Sequence, residues 1–230
     1  MTTFTAEHKP ADIVKVFPKA SDLFKAHRID FCCGGDQPLK NVFTENHLDE
    51  ADILSKLNNL YKDWSAEGHA VTDWESVPLN ELVDHIIHTH HAYLNDELPA
   101  LNQFVSKIFR AHGAKHPHLV ELNRLFNAFK LEMEEHMVKE EADVFPLIKE
   151  YELNPSEALR TQIHQANDEL EAEHDEAGNL IKQMRHITHD FQPPEDACNS
   201  YRITYARLAE LEDQTFTHVH LENNILFKRI

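Results

Sequence analysis

The chain has 230 residues, 40 of them acidic against 22 basic, for a formal net charge of −18. That balance excludes nucleic acid and anionic membrane surfaces as partners, since either needs a basic footprint. With only 5 glycines, little strand-like alternation and no apolar run long enough to span a bilayer, the expectation is an all-α chain.

Residues 1–62 are expected to form a small helical domain. Short amphipathic pieces run from Asp12 to Phe17 and from Ser21 to His27, with Ser21 placed as an N-cap, and a further helix runs from Leu48 to Tyr61. Between them stands Ile29-Asp30-Phe31-Cys32-Cys33-Gly34-Gly35. Adjacent cysteines seldom bond to each other, and two glycines supply a turn with positive φ. The run fits either a turn with two buried small residues or a reactive, metal-docking thiol pair at Cys32 and Cys33. Together with Cys198 the cysteine count is odd and makes no disulfide framework. The N-terminus has no apolar h-region, so the cytoplasm is the expected location.

Residues 63–77 place Trp64 and Trp74 among polar and small residues and read as a linker. Pro78 suits a helix start, and residues 78–230 carry four long helical patterns. The first runs from about Leu79 to Arg110, with Val83, Ile87, Leu94, Leu98, Leu101, Val105 and Ile108 as its apolar seam. The second runs from about His118 to Glu150, the third from near Ser156 to about His189, and the fourth from about Asp196 to Phe227, after Pro193-Pro194. Connections of roughly 5 to 8 residues force antiparallel neighbours, which predicts an up-down-up-down four-helix bundle.

The second helix carries the chemistry. Leu119, Leu122, Phe126, Phe129 and Met133, then Val144 and Leu147, form its core-facing seam, and His136 and Glu140 fall on it. Four residues turn a helix by about 400°, so the two side chains leave one face roughly 40° apart and about 6 Å apart along the axis. A bare carboxylate in a core costs several kcal/mol unless it meets a proton, a cation or a metal. On the fourth helix Thr204, Leu208, Leu211, Thr215, His218, Glu222 and Ile225 repeat the signal. One His–Glu pair could be an internal salt bridge, whereas two on two helices of a bundle are better explained by a shared metal centre.

On the third helix His174 fills the one gap in an apolar seam, and on the first helix either His90 or His91 could point inward. Periodicity does not choose between those two. At 1.5 Å per residue, His91 lies about 29 Å before its helix end and His136 and Glu140 about 27 to 33 Å after the next helix begins, at one level. Of the other histidines, His85 has the best claim to a place behind the ligands, while His220 lies two residues from both His218 and Glu222 and points away from the core. Four imidazoles and two carboxylates divided over two metals give each metal two nitrogens and let both Glu side chains bridge. With an oxo or hydroxo bridge, such a thiolate-free set suits iron or manganese.

His136-Met-Val-Lys-Glu140-Glu, Glu173-His174-Asp-Glu-Ala-Gly and His218-Val-His-Leu-Glu222-Asn-Asn, with Cys32-Cys33-Gly34-Gly35 at the front, resemble the di-iron iron–sulfur cluster repair proteins. The resemblance covers nearly the whole chain and implies a hemerythrin-like bundle behind a small Cys-Cys-Gly-Gly domain. Matching Asp84-His85-Ile86-Ile87 places the first-helix ligand at His91, and the other ligands fall on His136, Glu140, His174, His218 and Glu222. Acidic residues near the site match Glu132 and Glu173, expected to orient imidazoles or carry protons.

What the resemblance implies is a stress-response protein that restores clusters damaged by nitric oxide or peroxide. Two Fe ions per chain would serve as a labile source, iron–sulfur proteins as clients, and Cys32 and Cys33 as the place where iron is received or a client docks. As an enzyme, the same centre could reduce nitric oxide. An oxygen carrier or sensor of the hemerythrin type takes a further His four residues from the one on the third helix, but those positions are Leu170 and Gly178 here. A ferritin-like oxidase needs two Glu-x-x-His motifs, and only Glu171 to His174 fits. The chain is expected to be a monomer or a homodimer.

Overall fold

The computed structural model describes residues 3–69 and 71–230; Met1, Thr2 and Ala70, the last in the expected linker, lie outside the described residues. Among the described residues there is no strand, and no helix is long and apolar enough to cross a membrane. Contacts divide the chain into two compact units, residues 1–77 with 219–229 and residues 78–218 with Ile230.

The first unit contains α1 (Pro10–Val16), α2 (Ala20–Ala26), α3 (Leu39–Glu45) and α4 (Glu50–Ala66). Asp49 caps α4 by accepting the Asp52 N–H at 3.1 Å. Ser21 is no cap: it sits inside the first turn of α2, whose N-cap is Lys19. The unexpected α3 follows Pro38 and buries Leu39, Val42 and Phe43, an apolar spacing too short to stand out in the sequence. α4 runs past Tyr61 to Ala66, so Trp64 belongs to a helix and packs on Phe17 with ring centroids 5.2 Å apart. The Asn58 side chain ties down the N-terminal segment, accepting the Phe4 N–H at 2.8 Å and donating to the Phe4 carbonyl at 3.0 Å. From the other end of the sequence, Arg229 donates to the carbonyls of Trp74 and Val77 at 2.8 and 2.6 Å.

The second unit is an up-down-up-down four-helix bundle. Its first helix is α5 (Leu79–His85), a π-helical segment Ile86–His91, and α6 (Ala92–His112). The second is α7 (His118–Lys139), a π segment Glu140–Val144, and α8 (Phe145–Leu153). The third is α9 (Glu157–Ile187), and the fourth is α10 (Asn199–Leu221), whose residues from Val219 on belong, with the π segment Glu222–Leu226 that continues it, to the first unit. The Glu152 carboxylate near the end of α8 accepts the N–H groups of Leu79 and Asn80 at 2.5 and 2.9 Å. An anion thus satisfies orphan donors at the N-terminus of α5 and fixes the first two helices antiparallel. Arg207 of α10 grips Glu97 of α6 through two bonds of 2.7 and 2.6 Å. Ser156 caps α9 by accepting the Leu159 N–H at 3.3 Å. At its other end His189, Asp190 and Phe191 all take positive φ, with the Phe191 N–H held by Thr188 Oγ1 at 3.2 Å, so the chain reverses before the two prolines.

The π segments change which residues face inward. A π turn accommodates an extra residue and shifts the helical phase. Phe145 and Ile148 are therefore buried where an unbroken α-helix puts Leu147, and Ile86 is buried in preference to Ile87.

Candidate metal centre and thiol loop

Every π segment contains or borders one of the buried histidines or glutamates: His91 ends the first, Glu140 opens the second and Glu222 opens the third. Such turns are poorer than α-helix in hydrogen bonding and concentrate at functional sites, where they re-aim side chains. Here they deliver two groups whose ligand atoms all lie within 4.8 Å of one another: His91, Glu140, His218 and Glu222, and His136, Glu140, His174 and Glu222. Both glutamates belong to both groups. His91 Nε2 lies 3.2 Å from His218 Nε2, and His174 Nε2 lies 3.1 Å from His136 Nε2. Glu140 Oε2 sits 3.2 Å from His91 Nε2 and 3.3 Å from His136 Nε2, one imidazole of each group. All six side chains are buried, none more than 2% exposed.

The tautomers follow from the outer ring nitrogens. His91 Nδ1–H donates to Glu141 Oε1 at 2.7 Å, and His136 Nδ1–H donates to Glu173 Oε2 at 2.9 Å. Protonation at Nδ1 leaves the Nε2 lone pairs facing the centre, the arrangement a metal-bound imidazole needs. Lys139 holds Glu173 at 2.9 Å. The hydrogen bond from His136, supported by Lys139 against the opposing effect of burial, pulls the Glu173 carboxyl down to about 2. Glu132 is partly buried, and its carboxyl is pushed up, first by burial and then by the charge of Glu173. Nitrogen and carboxylate donors without thiolate, in two sets sharing two carboxylates, fit a pair of hard-to-borderline cations such as iron or manganese.

The sequence left His90 and His91 open, and both are buried because the π turn brings consecutive residues inward. His91 enters a ligand group, whereas His90 stacks on the His218 ring at 5.7 Å and 7°. Two residues beside these groups are not evident in the sequence. Glu141 was hidden by its neighbour Glu140, although a carboxylate adjacent to a ligand is a reasonable partner for another ligand's outer nitrogen. His220 does leave the face that carries His218 and Glu222, yet it is only 3% exposed, and its Nδ1–H donates to the Phe31 carbonyl at 3.1 Å.

That carbonyl belongs to the thiol loop. Asp30 Oδ1 accepts the N–H groups of Cys32, Cys33 and Gly34 at 3.0, 3.1 and 3.1 Å and the Cys32 S–H at 3.3 Å. Neither Gly34 nor Gly35 takes the positive φ expected of the turn; Gly35 instead has no room for a side chain, since a Cβ would fall 2.5 Å from the Phe31 carbonyl oxygen. The two thiols are not equivalent: Cys32 is buried, and Cys33 is partly exposed. The hydrogen bond with Cys33 first, then burial and the nearby Asp30 carboxylate, push the Cys32 thiol well above its ordinary value. At neutral pH Cys32 is a protonated, sheltered thiol, and Cys33 is the accessible member of the pair.

Residues 82–230 match the family described as Hemerythrin HHE cation binding domain, and residues 6–61 match a domain of unknown function, DUF542. The chain is 34% identical over 227 residues to the iron-sulfur cluster repair protein ScdA of Staphylococcus epidermidis, covering 98% of this chain and 99% of that one. It is 36% identical over 212 residues to the iron-sulfur cluster repair protein YtfE of Escherichia coli O157:H7, covering 92% and 91%. With ScdA of Staphylococcus haemolyticus the identity is 32% over 229 residues, covering 98% of each.

Proposed function

The chain belongs to the hemerythrin-type iron–sulfur cluster repair family, and from that membership we propose that it restores damaged iron–sulfur clusters in client proteins by supplying iron. The observation that carries the reading is the pair of buried donor groups sharing Glu140 and Glu222 on a chain that also presents Cys32 and Cys33. In this reading two irons per chain would be held by His91, His136, Glu140, His174, His218 and Glu222, the two carboxylates being common to both donor groups. Bound there, iron supplies a reducible metal pair whose ferrous form is exchangeable. Glu141 and Glu173 fix the imidazole tautomers and Lys139 fixes Glu173, while a proton-exchanging role for Glu132 near His136 is supported by its raised carboxyl. Cys33 is the outward thiol at which iron or a client is met. Free thiols suit a reducing compartment, which supports a cytoplasmic location.

One observation favours a second role, binding and reduction of nitric oxide at the same centre. A Cβ on the buried Gly178, one turn after His174, would meet nothing within 4 Å, which leaves room for a small ligand. The two roles are separated by replacing Cys32 and Cys33 with Ser and assaying one preparation for recovery of a nitrosylated client cluster and for nitric oxide turnover. Loss of cluster repair with unchanged iron content and unchanged nitric oxide turnover is expected. Full cluster repair without the thiols would contradict delivery through Cys33.

A further inference from the structure

The C-terminal helix serves two sets of residues by turns. His218 and Glu222 belong to the ligand groups, and the alternate positions His220 and Asn224 face the thiol loop. Asn224 Nδ2 donates to the Cys32 carbonyl at 2.8 Å and lies 3.5 Å from the Phe31 carbonyl, which His220 Nδ1 already engages at 3.1 Å. Lys228, one turn on, lies 3.5 Å from Asn224 Oδ1 and donates to Asp36 Oδ2 at 2.5 Å, just beyond Gly35. Both His220 and Asn224 are 3% exposed, so these are not incidental surface contacts. Asp30 holds the loop from inside through its N–H groups, and the helix holds it from outside through its carbonyls.

Glu222 opens the π segment in which Asn224 stands two residues later. π turns are rare and frequent at functional sites, where a functional side chain can require them. A cation on Glu222 supplies such a requirement, and losing it frees the segment to readjust, which moves the donor that holds the Cys32 carbonyl. We propose that His220 and Asn224 are positioning residues for the Cys32–Cys33 pair, and that through them the metal state at Glu222 sets how accessible the pair is. Loaded protein keeps Cys32 sheltered, and emptied protein exposes it. This rests on the reading of Glu222 as a ligand given above, but the clamp itself can be tested at fixed metal content.

The test is alkylation by N-ethylmaleimide, followed peptide by peptide with mass spectrometry so that the exposed Cys198 does not interfere. The probed chains are wild type, Asn224→Ala, His220→Ala and Glu222→Ala, each full-length, with folding checked by circular dichroism. Removing one buried hydrogen bond is expected to speed Cys32 labelling roughly tenfold in iron-loaded Asn224→Ala, with the iron content and visible spectrum of wild type. Iron-free wild type and Glu222→Ala should label at that faster rate. Wild-type labelling rates in folded, iron-loaded Asn224→Ala and His220→Ala would overturn the clamp. Equal rates in iron-loaded and iron-free wild type, with fast labelling in Asn224→Ala, would overturn the coupling. Full iron content in Glu222→Ala would instead sink the ligand assignment, and the Asn224→Ala comparison would still decide the clamp.

Discussion

At one level of the bundle His91, His136, His174 and His218 are buried, their Nε2 atoms paired at 3.1 and 3.2 Å around two buried carboxylates. Near the connections that join its helices, His112, His116 and His118 form a second concentration, partly exposed. There each imidazole has a conventional partner: Cys198 Sγ at 3.2 Å for His112, Asp196 at 3.3 Å for His116, and the hydroxyls of Tyr201 and Tyr205 at 3.1 and 2.9 Å for His118. The Asp196 carboxylate is open to solvent and is drawn down first by Lys115 and then by His116, so its charge is already balanced. Density of histidine is therefore a poor guide to a metal site. Burial of imidazoles together with carboxylates, which a core cannot hold without a cation, is the discriminating feature.

The comparison breaks most visibly at its carboxylates. Glu140→Leu or Glu222→Leu should reduce bound iron from two per chain to one or none while far-ultraviolet circular dichroism stays unchanged, because each change removes a ligand and a burial penalty together. By contrast, His112→Ala with Cys198→Ser should leave the iron content at its wild-type value. Loss of iron from that pair, or its retention in both Leu variants, would reverse the roles assigned to the two clusters.

A smaller effect belongs to the outer nitrogens. Glu141→Ala and Glu173→Ala should each weaken iron retention about tenfold in competition with a chelator, since His91 and His136 then lose the acceptors that set their tautomers. Wild-type retention in both would make these carboxylates bystanders.

How much of this was legible in the sequence depends on whether one period described a helix throughout. Met133, His136 and Glu140 fall on an unbroken seam, so the burial of the second-helix His–Glu pair could be read directly. His91 could not, because the π turn from Ile86 to His91 buries His90 as well, and only the resemblance to a family chose between them. The same shift exchanged Leu147 for Phe145 and Ile148 in the core. Short elements were hidden for another reason: α3 has a single turn or two of apolar spacing and no side-chain cap, so its burial is a tertiary matter. His220 leaves the face of His218 and Glu222 but, against the expectation that it points away from the core, is buried against the Phe31 carbonyl, because a one-dimensional pattern does not show what packs on the helix's other side.

The smallest effect comes from His118. Burial, helped by His116, lowers its folded-state pKa below the ordinary 6.5. The unfolded chain then takes up this proton first, so the contribution of His118 to stability is fully present above about pH 6.5 and declines as pH falls below it. His118→Phe should cost about 1 kcal/mol at pH 7.5 through the lost bonds to Tyr201 and Tyr205, and should flatten the decline in stability below about pH 6.5. Urea midpoints on iron-free protein measure both, and an unchanged acid slope would remove His118 from the cause.

The two donor groups are proposed to form a two-metal centre in which each metal takes two imidazoles and both share Glu140 and Glu222. Its most direct test is metal analysis with Mössbauer spectroscopy on anaerobically purified chain, before and after reduction. Such a centre requires two irons per chain in closely similar nitrogen- and oxygen-donor sites that convert together to the ferrous state. A single iron per chain, two unlike sites, or zinc in place of iron would contradict it.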